Sequence, residues 1–185
     1  MLITLTGFMG SGKTTVGRIL ADALGCPFLD LDELIVKKAG KSIPDIFAED
    51  GEPAFRQLEA RLLRQTVEKY GGSTVVLSLG GGAILAPASA TLVHEKTVCI
   101  YLRAMLDTLL SRLAGETAGR PLLQEIPDQV GDDGSSVVMP GPDRASVAAR
   151  LAAREPLYEK TAHVVIDTDG LSPEEVSDEI IISCL

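Results

Sequence analysis

Residues 7–14, with the sequence GFMGSGKT, match the pattern GxxxxGK[ST] at every fixed position. An apolar stretch precedes this phosphate loop and an amphipathic stretch follows it, which is the strand–loop–helix context that the motif requires. The glycines let backbone N–H groups converge on a polyphosphate, and the helix N-terminus adds its dipole. Lys13 would reach the β- and γ-phosphates, and the Thr14 hydroxyl can ligate Mg²⁺. A glycine-rich turn without a ligand is the alternative, but motif and context together predict binding of ATP or GTP.

Two classes of nucleotide-binding protein are excluded by what the sequence lacks. A GTPase would need a base-reading Asn-Lys-x-Asp motif, and the chain contains no asparagine. The HRD and DFG motifs of protein kinases are also absent from the chain. Small-molecule kinases and ATPases remain.

Polar residues and glycines follow the next predicted strands. Asp30 and Asp32 end the second strand on the same side, at the sheet edge where ligands bind, although Asp32 could be only a helix N-cap. Arg56 and Glu59 lie at i, i+3 on one helix face, where they could bind a ligand or form a solvated ion pair. Gly80–Gly82 would leave room for a ligand against bare backbone, or make an ordinary tight turn. Taken singly, these residues leave both possibilities open.

Strands and helices alternate along the chain, which predicts an α/β fold with a parallel sheet. The near-continuous apolar runs indicate strands that are covered on both faces, and hence three layers. The predicted strands are Leu2–Thr6, Phe28–Asp30, Val75–Leu79, Val98–Leu102 and Val164–Asp167. The predicted helices span about 13–24, 32–39, 53–69, 105–114 and 143–158, with others beginning near Ser42 and at Ser172-Pro173.

Length and composition limit the possible partners. The 185 residues predict one domain, 1–185, and the net charge of −9 argues against nucleic acid or an anionic membrane as a partner. No apolar run approaches the ~18 residues that span a bilayer. The N-terminus lacks the features of a secretory signal, and Cys26, Cys99 and Cys184 form no disulfide framework. We therefore expect a cytoplasmic monomer. His94 and His163 have no partners at metal-ligand spacing.

The chain as a whole resembles the shikimate kinase family, whose members use ATP to phosphorylate the 3-hydroxyl of shikimate in chorismate and aromatic amino acid biosynthesis. The matching segments keep the family's order and approximate spacing over nearly the whole chain. They are the phosphate loop, LDLD (29–32), SIPDIF (42–47), DGE (50–52), Phe55-Arg56 with Glu59, LSLGGGA (77–83), RPLL (120–123) and REPLY (154–158).

The resemblance implies a P-loop NTPase fold like that of nucleoside monophosphate kinases, and a role for each matching residue. The nucleotide phosphates would be bound by Gly10, Ser11, Gly12, Lys13, Thr14 and Thr15. Mg²⁺ would be held by Thr14 and, through a water, by Asp30. Asp32 would bind the acceptor hydroxyl. The carboxylate and other hydroxyls of shikimate would be bound by Arg56, Gly80, Gly81, Gly82 and Arg154, with Glu59 bracing Arg56.

A lid is expected over residues 115–142, which are rich in glycine and proline. Arg120 matches the family's lid arginine, which closes over the phosphates, and Arg112 lies near the position of its adenine-stacking arginine. Residues 124–141 form an insertion relative to the family pattern. Asp167 ends the last predicted strand, and we do not expect it to act as a Walker-B aspartate.

Two alternatives share the phosphate loop. One is another small-molecule kinase of the same architecture, such as a gluconate kinase. The other is a regulatory module that binds ATP without transferring phosphate. The pairing of Asp32 with Arg56 and Gly80–Gly82 favours a hydroxylated ring acid as acceptor, and the presence of every expected charged group favours an enzyme.

Overall fold

The sheet has five parallel strands in the order β2-β3-β1-β4-β5. It belongs to a computed structural model that describes residues 1–116 and 144–184. The strands are β1 (Leu2–Thr6), β2 (Phe28–Asp30), β3 (Val75–Ser78), β4 (Val98–Arg103) and β5 (Val164–Asp167). All five predicted strands are confirmed, and their ends differ by no more than one residue.

Helices cover both faces of the sheet. They are α1 (Lys13–Ala23), α2 (Leu31–Ala39), α3 (Ile43–Tyr70), α4 (Pro87–Lys96), α5 (Leu106–Glu116), α6 (Arg144–Thr161) and α7 (Pro173–Cys184). On one face, α1 and α7 pack against strand residues such as Leu5 and Ile100. On the other face, residues of α2 to α6 pack against Leu77 and Tyr101 among others. The expected three-layer α/β architecture is confirmed.

Two helical regions differ from the helices predicted from the sequence. The helices expected from Ser42 and from Pro53 form one segment, α3, which is broken at Gly51 by a φ of 80° and a ψ of 166°. Helix α4 was missed by the sequence analysis. It buries only Ser89 and Val93, so its sequence has little of the apolar periodicity that identifies a helix.

The strand register brings the functional segments to one edge. Leu5 of β1 and Asp30 of β2 both pair with Ser78 of β3. The chain leaves all three strands at this level, so the phosphate loop, the start of α2 and the glycines after β3 begin side by side. This edge is the carboxyl end of a parallel sheet, where ligands bind in such folds.

The predicted lid and insertion, with Arg120, lie almost wholly outside the described residues. Among the residues that the structure does describe, no helix is both long and apolar enough to cross a membrane.

Candidate active site

The phosphate loop joins β1 to α1 in a conformation that requires glycine. Gly7, Gly10 and Gly12 have φ values of 145°, 79° and 91°. A side chain at Gly7 would lie 2.6 Å from the carbonyl oxygen of Leu102, so the loop packs directly on the end of β4. The loop therefore presents the N-terminus of α1, the positive end of the helix dipole, at the sheet edge.

Lys13 folds back along the loop. Its Nζ donates hydrogen bonds to the carbonyl oxygens of Gly7 and Phe8, each at 2.9 Å. The side chain is thus partly buried. Ser11 is buried beside it, and its Oγ has no hydrogen-bond partner among the described residues. Both groups lie where a phosphate bound by the loop would offer them oxygen atoms.

Asp30, rather than Asp32, caps α2. Its carboxylate accepts hydrogen bonds from the backbone N–H groups of Asp32 at 2.9 Å and Glu33 at 3.4 Å. It also accepts one from the Thr14 hydroxyl at 2.9 Å. The alternative of Asp32 as an N-cap is wrong, and its side chain has no capping role. The hydroxyl of Thr14 and the carboxylate of Asp30 form a pair of hard oxygen donors of the kind that Mg²⁺ prefers.

Asp32 lies against the glycines that follow β3. A side chain on Gly80 would be 2.7 Å from Oδ1 of Asp32, so only glycine fits here. Burial and the charge of Asp30 raise the pKa of Asp32, while Lys13 and Arg56 oppose the rise. The carboxylate is therefore a stronger base than an exposed aspartate.

Arg56 is held by two carboxylates of its own helix. Its Nη1 donates to Oε2 of Glu59 at 2.9 Å, and its Nε donates to Oε1 of Glu52 at 3.1 Å. The i, i+3 ion pair therefore forms, but it is partly buried rather than fully solvated: 30% of the Arg56 side chain and 4% of the Glu59 side chain are exposed. Burial raises the pKa of Glu59, and the Arg56 guanidinium opposes that rise. A side chain on Gly82 would clash with the Arg56 guanidinium.

Arg154 reaches the same place from α6. Its guanidinium carbon lies 5.9 Å from the centroid of the Phe8 ring, and its charge contributes to the pKa of Glu59. Four separate segments thus supply one group of side chains and backbone. We call this group the acceptor cluster: Asp32, Arg56, Gly80–Gly82 and Arg154.

Tyr158 is a member of this site that the sequence analysis did not single out. Its hydroxyl donates to the carbonyl oxygen of Gly81 at 2.6 Å, and the side chain is fully buried. It ends the REPLY segment one helical turn after Arg154, and that spacing was the available indication.

Arg112 lies on the other side of the phosphate loop. It donates to the carbonyl oxygen of Gly10 at 3.4 Å and to the hydroxyl and carbonyl of Thr168 at 3.0 and 2.9 Å. A pocket of about 310 Å³ opens here. One wall is formed by residues that no sequence motif indicated: Thr168, Leu171, Pro173 and Val176. The pocket is lined by Gly10, Ser11, Gly12, Thr15, Val16, Arg112, Thr168, Leu171, Pro173 and Val176.

Three other charged or imidazole side chains lie away from this site. Asp167 accepts hydrogen bonds from Nε and Nη2 of Arg103 at 2.6 and 2.9 Å, which supports the expectation that it is not a metal ligand. His94 and His163 stack on each other with ring centroids 4.6 Å apart. In residues 1–116 and 144–184, no three histidine, cysteine or acidic side chains are grouped as a metal site would need.

The chain is similar to known proteins over nearly its whole length. The family model for shikimate kinase matches residues 9–185. A shikimate kinase of Salinibacter ruber is 44% identical over 181 residues, which are 98% of this chain and 83% of that protein. The structure of an Acinetobacter baumannii shikimate kinase in complex with shikimate is 33% identical, with a TM-score of 0.80 over 97% of this chain and 90% of that one.

A gluconokinase from Sinorhizobium meliloti also shares the architecture. It has a TM-score of 0.51 and 14% identity over 97% of this chain and 89% of that one, a likeness that shows the fold alone. The family model, in contrast, covers the phosphate loop from Met9 onward and every described member of the acceptor cluster, and the chain belongs to the shikimate kinase family.

Proposed function

We propose that this protein transfers the γ-phosphoryl group of ATP to the 3-hydroxyl of shikimate, giving shikimate 3-phosphate and ADP. Shikimate kinases are ATP-dependent phosphotransferases of aromatic amino acid biosynthesis, and the chain is a member of that family. The observation that carries the proposal is the convergence of Asp32 and Arg56 on the Gly80–Gly82 backbone beside Lys13. A carboxylate, a guanidinium and bare backbone suit an acceptor that has both hydroxyl groups and a carboxylate.

The phosphate loop would bind the nucleotide from Gly10 to Thr15. Its backbone N–H groups would bind the phosphate oxygens, and Lys13 would exchange the carbonyls of Gly7 and Phe8 for the β- and γ-phosphates. The base would enter the pocket beside Arg112, whose guanidinium is already oriented by Thr168. Arg120, which lies outside the described residues, is still predicted to neutralise phosphate charge from the lid.

Mg²⁺ would be bound with the nucleotide rather than in a protein cage. Mg²⁺ usually keeps several waters and binds through one or two carboxylates together with substrate phosphates. The oxygen pair of Thr14 and Asp30 fits that mode, with Thr14 as a direct ligand and Asp30 acting through water. When bound, the ion neutralises charge on the phosphates.

The acceptor carboxylate would be bound by Arg56 and Arg154. An arginine fork matches a carboxylate in shape and charge. The chain carries a net charge of −9, so two anionic substrates need a local group of cations, which Lys13, Arg56 and Arg154 would supply. Glu59 would keep the Arg56 guanidinium in place from the buried side.

Asp32 would orient the attacking hydroxyl and accept its proton. Phosphoryl transfer asks the protein mainly for positioning and charge neutralisation, and proton transfer is the remaining task. The raised pKa of Asp32 makes its ionised carboxylate a better base. The Gly80 backbone against its carboxylate would limit the directions from which the hydroxyl can approach.

The test is an assay of ADP release with MgATP and, separately, shikimate, gluconate and nucleoside monophosphates. We expect release to depend on shikimate, with phosphate appearing on its 3-hydroxyl. The Lys13→Met variant, purified in parallel, controls for contaminating kinases. Preference for gluconate or a nucleotide, or ATP binding without any acceptor-dependent turnover, would contradict the proposal.

The remaining expectations are proposals of the same kind. We take the chain to act as one domain and as a cytoplasmic monomer, with no nucleic-acid or membrane partner. The acidic net charge supports the last two points, because both partners would require a basic face.

A further inference from the structure

Tyr158 joins helix α6 to the glycine segment of the acceptor cluster. Its hydroxyl donates to the carbonyl oxygen of Gly81 at 2.6 Å, which is short for a neutral hydrogen bond. Burial raises the pKa of Tyr158, while the Arg154 guanidinium, one helical turn earlier in α6, opposes the rise. The phenol therefore stays protonated at neutral pH and acts as the donor to Gly81.

The glycine segment needs an external anchor. Gly80–Gly82 have no side chains to fix them by packing, and glycine has the largest conformational freedom to lose. The carbonyls of Gly80 and Gly82 accept local bonds from the N–H groups of Ala83 at 3.0 Å and Leu85 at 3.1 Å. The Gly81 carbonyl is instead bound by another element, helix α6.

Fixing this carbonyl also fixes its neighbours. In a trans peptide the carbonyl of Gly81 and the N–H of Gly82 point in opposite directions, so Tyr158 sets the plane of the whole Gly81–Gly82 peptide. Gly82 lies against the Arg56 guanidinium, and Gly80 lies against Asp32. A rotation of this peptide would move the backbone away from both side chains.

We propose that Tyr158 is a positioning residue of the acceptor site. Its hydroxyl holds the Gly80–Gly82 backbone in the arrangement that binds the acceptor, before the acceptor arrives. The proposal rests on the proposed function for the identity of the acceptor. It predicts a larger effect on the KM of the acceptor than on the KM of ATP, because the Tyr158 hydroxyl bonds directly to the glycine segment and reaches the phosphate loop only through Gly81, which packs beside Gly7 and Met9.

The test compares Tyr158→Phe with Tyr101→Phe. The two rings pack against each other with centroids 5.2 Å apart, both are at least 99% buried, and only Tyr158 bonds to the glycine segment. We expect Tyr158→Phe to raise the shikimate KM about 3- to 10-fold, the range for one lost hydrogen bond, with a smaller change in the ATP KM. Tyr101→Phe should change neither constant. Equal effects of both variants on the shikimate KM, or an unchanged shikimate KM in Tyr158→Phe, would overturn the proposal.

A second measurement needs no variant. If the segment is held in advance, the amide of Ala83 in the ligand-free wild-type protein should exchange with deuterium about as slowly as with shikimate bound. Protection that arises only on binding would overturn the proposal. Should the wild-type protein use a different acceptor, the proposed function fails, and the same KM comparison with that acceptor still tests the role of Tyr158.

Discussion

The phosphate loop and the acceptor cluster meet at one edge of the sheet but are built differently. The loop is a single stretch, and the bonds of Lys13 to the carbonyls of Gly7 and Phe8 stay within it. The acceptor cluster draws its members from α2, α3, the segment after β3, and α6. It depends on charges that are partly or fully buried, such as the pair of Arg56 with Glu59.

The contrast has consequences for mutation. Substitutions in the phosphate loop should act on the nucleotide and on transfer, with little effect on the rest of the fold. Substitutions in the acceptor cluster should act on acceptor binding and stability together, because members of the cluster also pair with buried groups, as Arg56 does with Glu59 and the Gly81 carbonyl does with Tyr158.

The largest effect is expected for Asp32→Asn. Loss of the proton acceptor should lower turnover by about 10²- to 10⁴-fold, the usual contribution of a general base. In the wild-type protein, kcat/KM should fall on acidification at a pH above the ordinary aspartate value of 3.8, because the pKa of Asp32 is raised. Steady-state rates over a pH series measure both effects.

Stability provides the control for this variant. The folded-state pKa of Asp32 lies above the unfolded value, so its ionised form costs folding free energy above the folded pKa. The cost disappears as the pH falls through the folded pKa. Asp32→Asn should therefore raise the melting temperature at neutral pH, and a melting temperature below that of the assay would mean that the lost turnover reflects unfolding.

Lys13→Met tests the role of the phosphate loop. We expect turnover to fall by about 10²- to 10³-fold, the effect of removing one preorganised charge stabiliser, while shikimate still binds. Lys41→Met is the matched control, because Lys41 pairs on the surface with Glu49 and Asp50. Activity above about a tenth of wild type in Lys13→Met would contradict the assignment.

Gly80→Ala asks whether the acceptor cluster tolerates one methyl group. The new Cβ would lie 2.7 Å from the Asp32 carboxylate and must displace it. We expect kcat/KM for shikimate to fall about tenfold or more, since a small misplacement of reacting groups is costly. Gly72→Ala, with no atom within 4 Å of the new Cβ, should behave as wild type. Equal activity of the two variants would place Asp32 outside the reaction.

The smallest effect is expected for Arg112→Ala. The variant loses the contacts with Thr168 and Gly10 at the wall of the nucleotide pocket, and the ATP KM should rise about 3- to 10-fold. The shikimate KM should stay constant. Arg18→Ala, which removes a surface cation paired with Glu33, is the control. A shift in the shikimate KM would show that the effect of Arg112 is not confined to nucleotide binding.

The same contrast explains what the sequence could predict. The phosphate loop is local, so its motif and flanking apolar stretches identified both the site and the strand and helix around it. The strands followed from apolar runs, but α4 did not, because only Ser89 and Val93 of this helix are buried. Spacing alone could not decide whether Arg56 and Glu59 were buried. That depends on the layer of helices above them, which is a tertiary property.

The bond from Tyr158 to Gly81 is a further example of this limit. It links residues 77 positions apart, and no local pattern encodes it. Likewise, the alternative that the sequence left open was Asp32 as the cap of α2, but the backbone geometry at the end of β2 makes Asp30 the cap. At each of these positions the residue type indicated a possible role, but the sequence did not indicate which residue would be its bonding partner.

Calorimetric titration of two variants with shikimate and with MgATP tests most directly whether the acceptor cluster and the phosphate loop bind their ligands separately. Arg56→Ala is combined with Glu59→Gln, so that no unpaired carboxylate is left buried. We predict that this double variant binds shikimate at least about 30-fold more weakly, and binds MgATP as the wild type does. Lys13→Met should weaken the binding of MgATP alone. Equal losses of affinity for shikimate and MgATP in the double variant would contradict this prediction, because the acceptor cluster and the phosphate loop would then not bind separately.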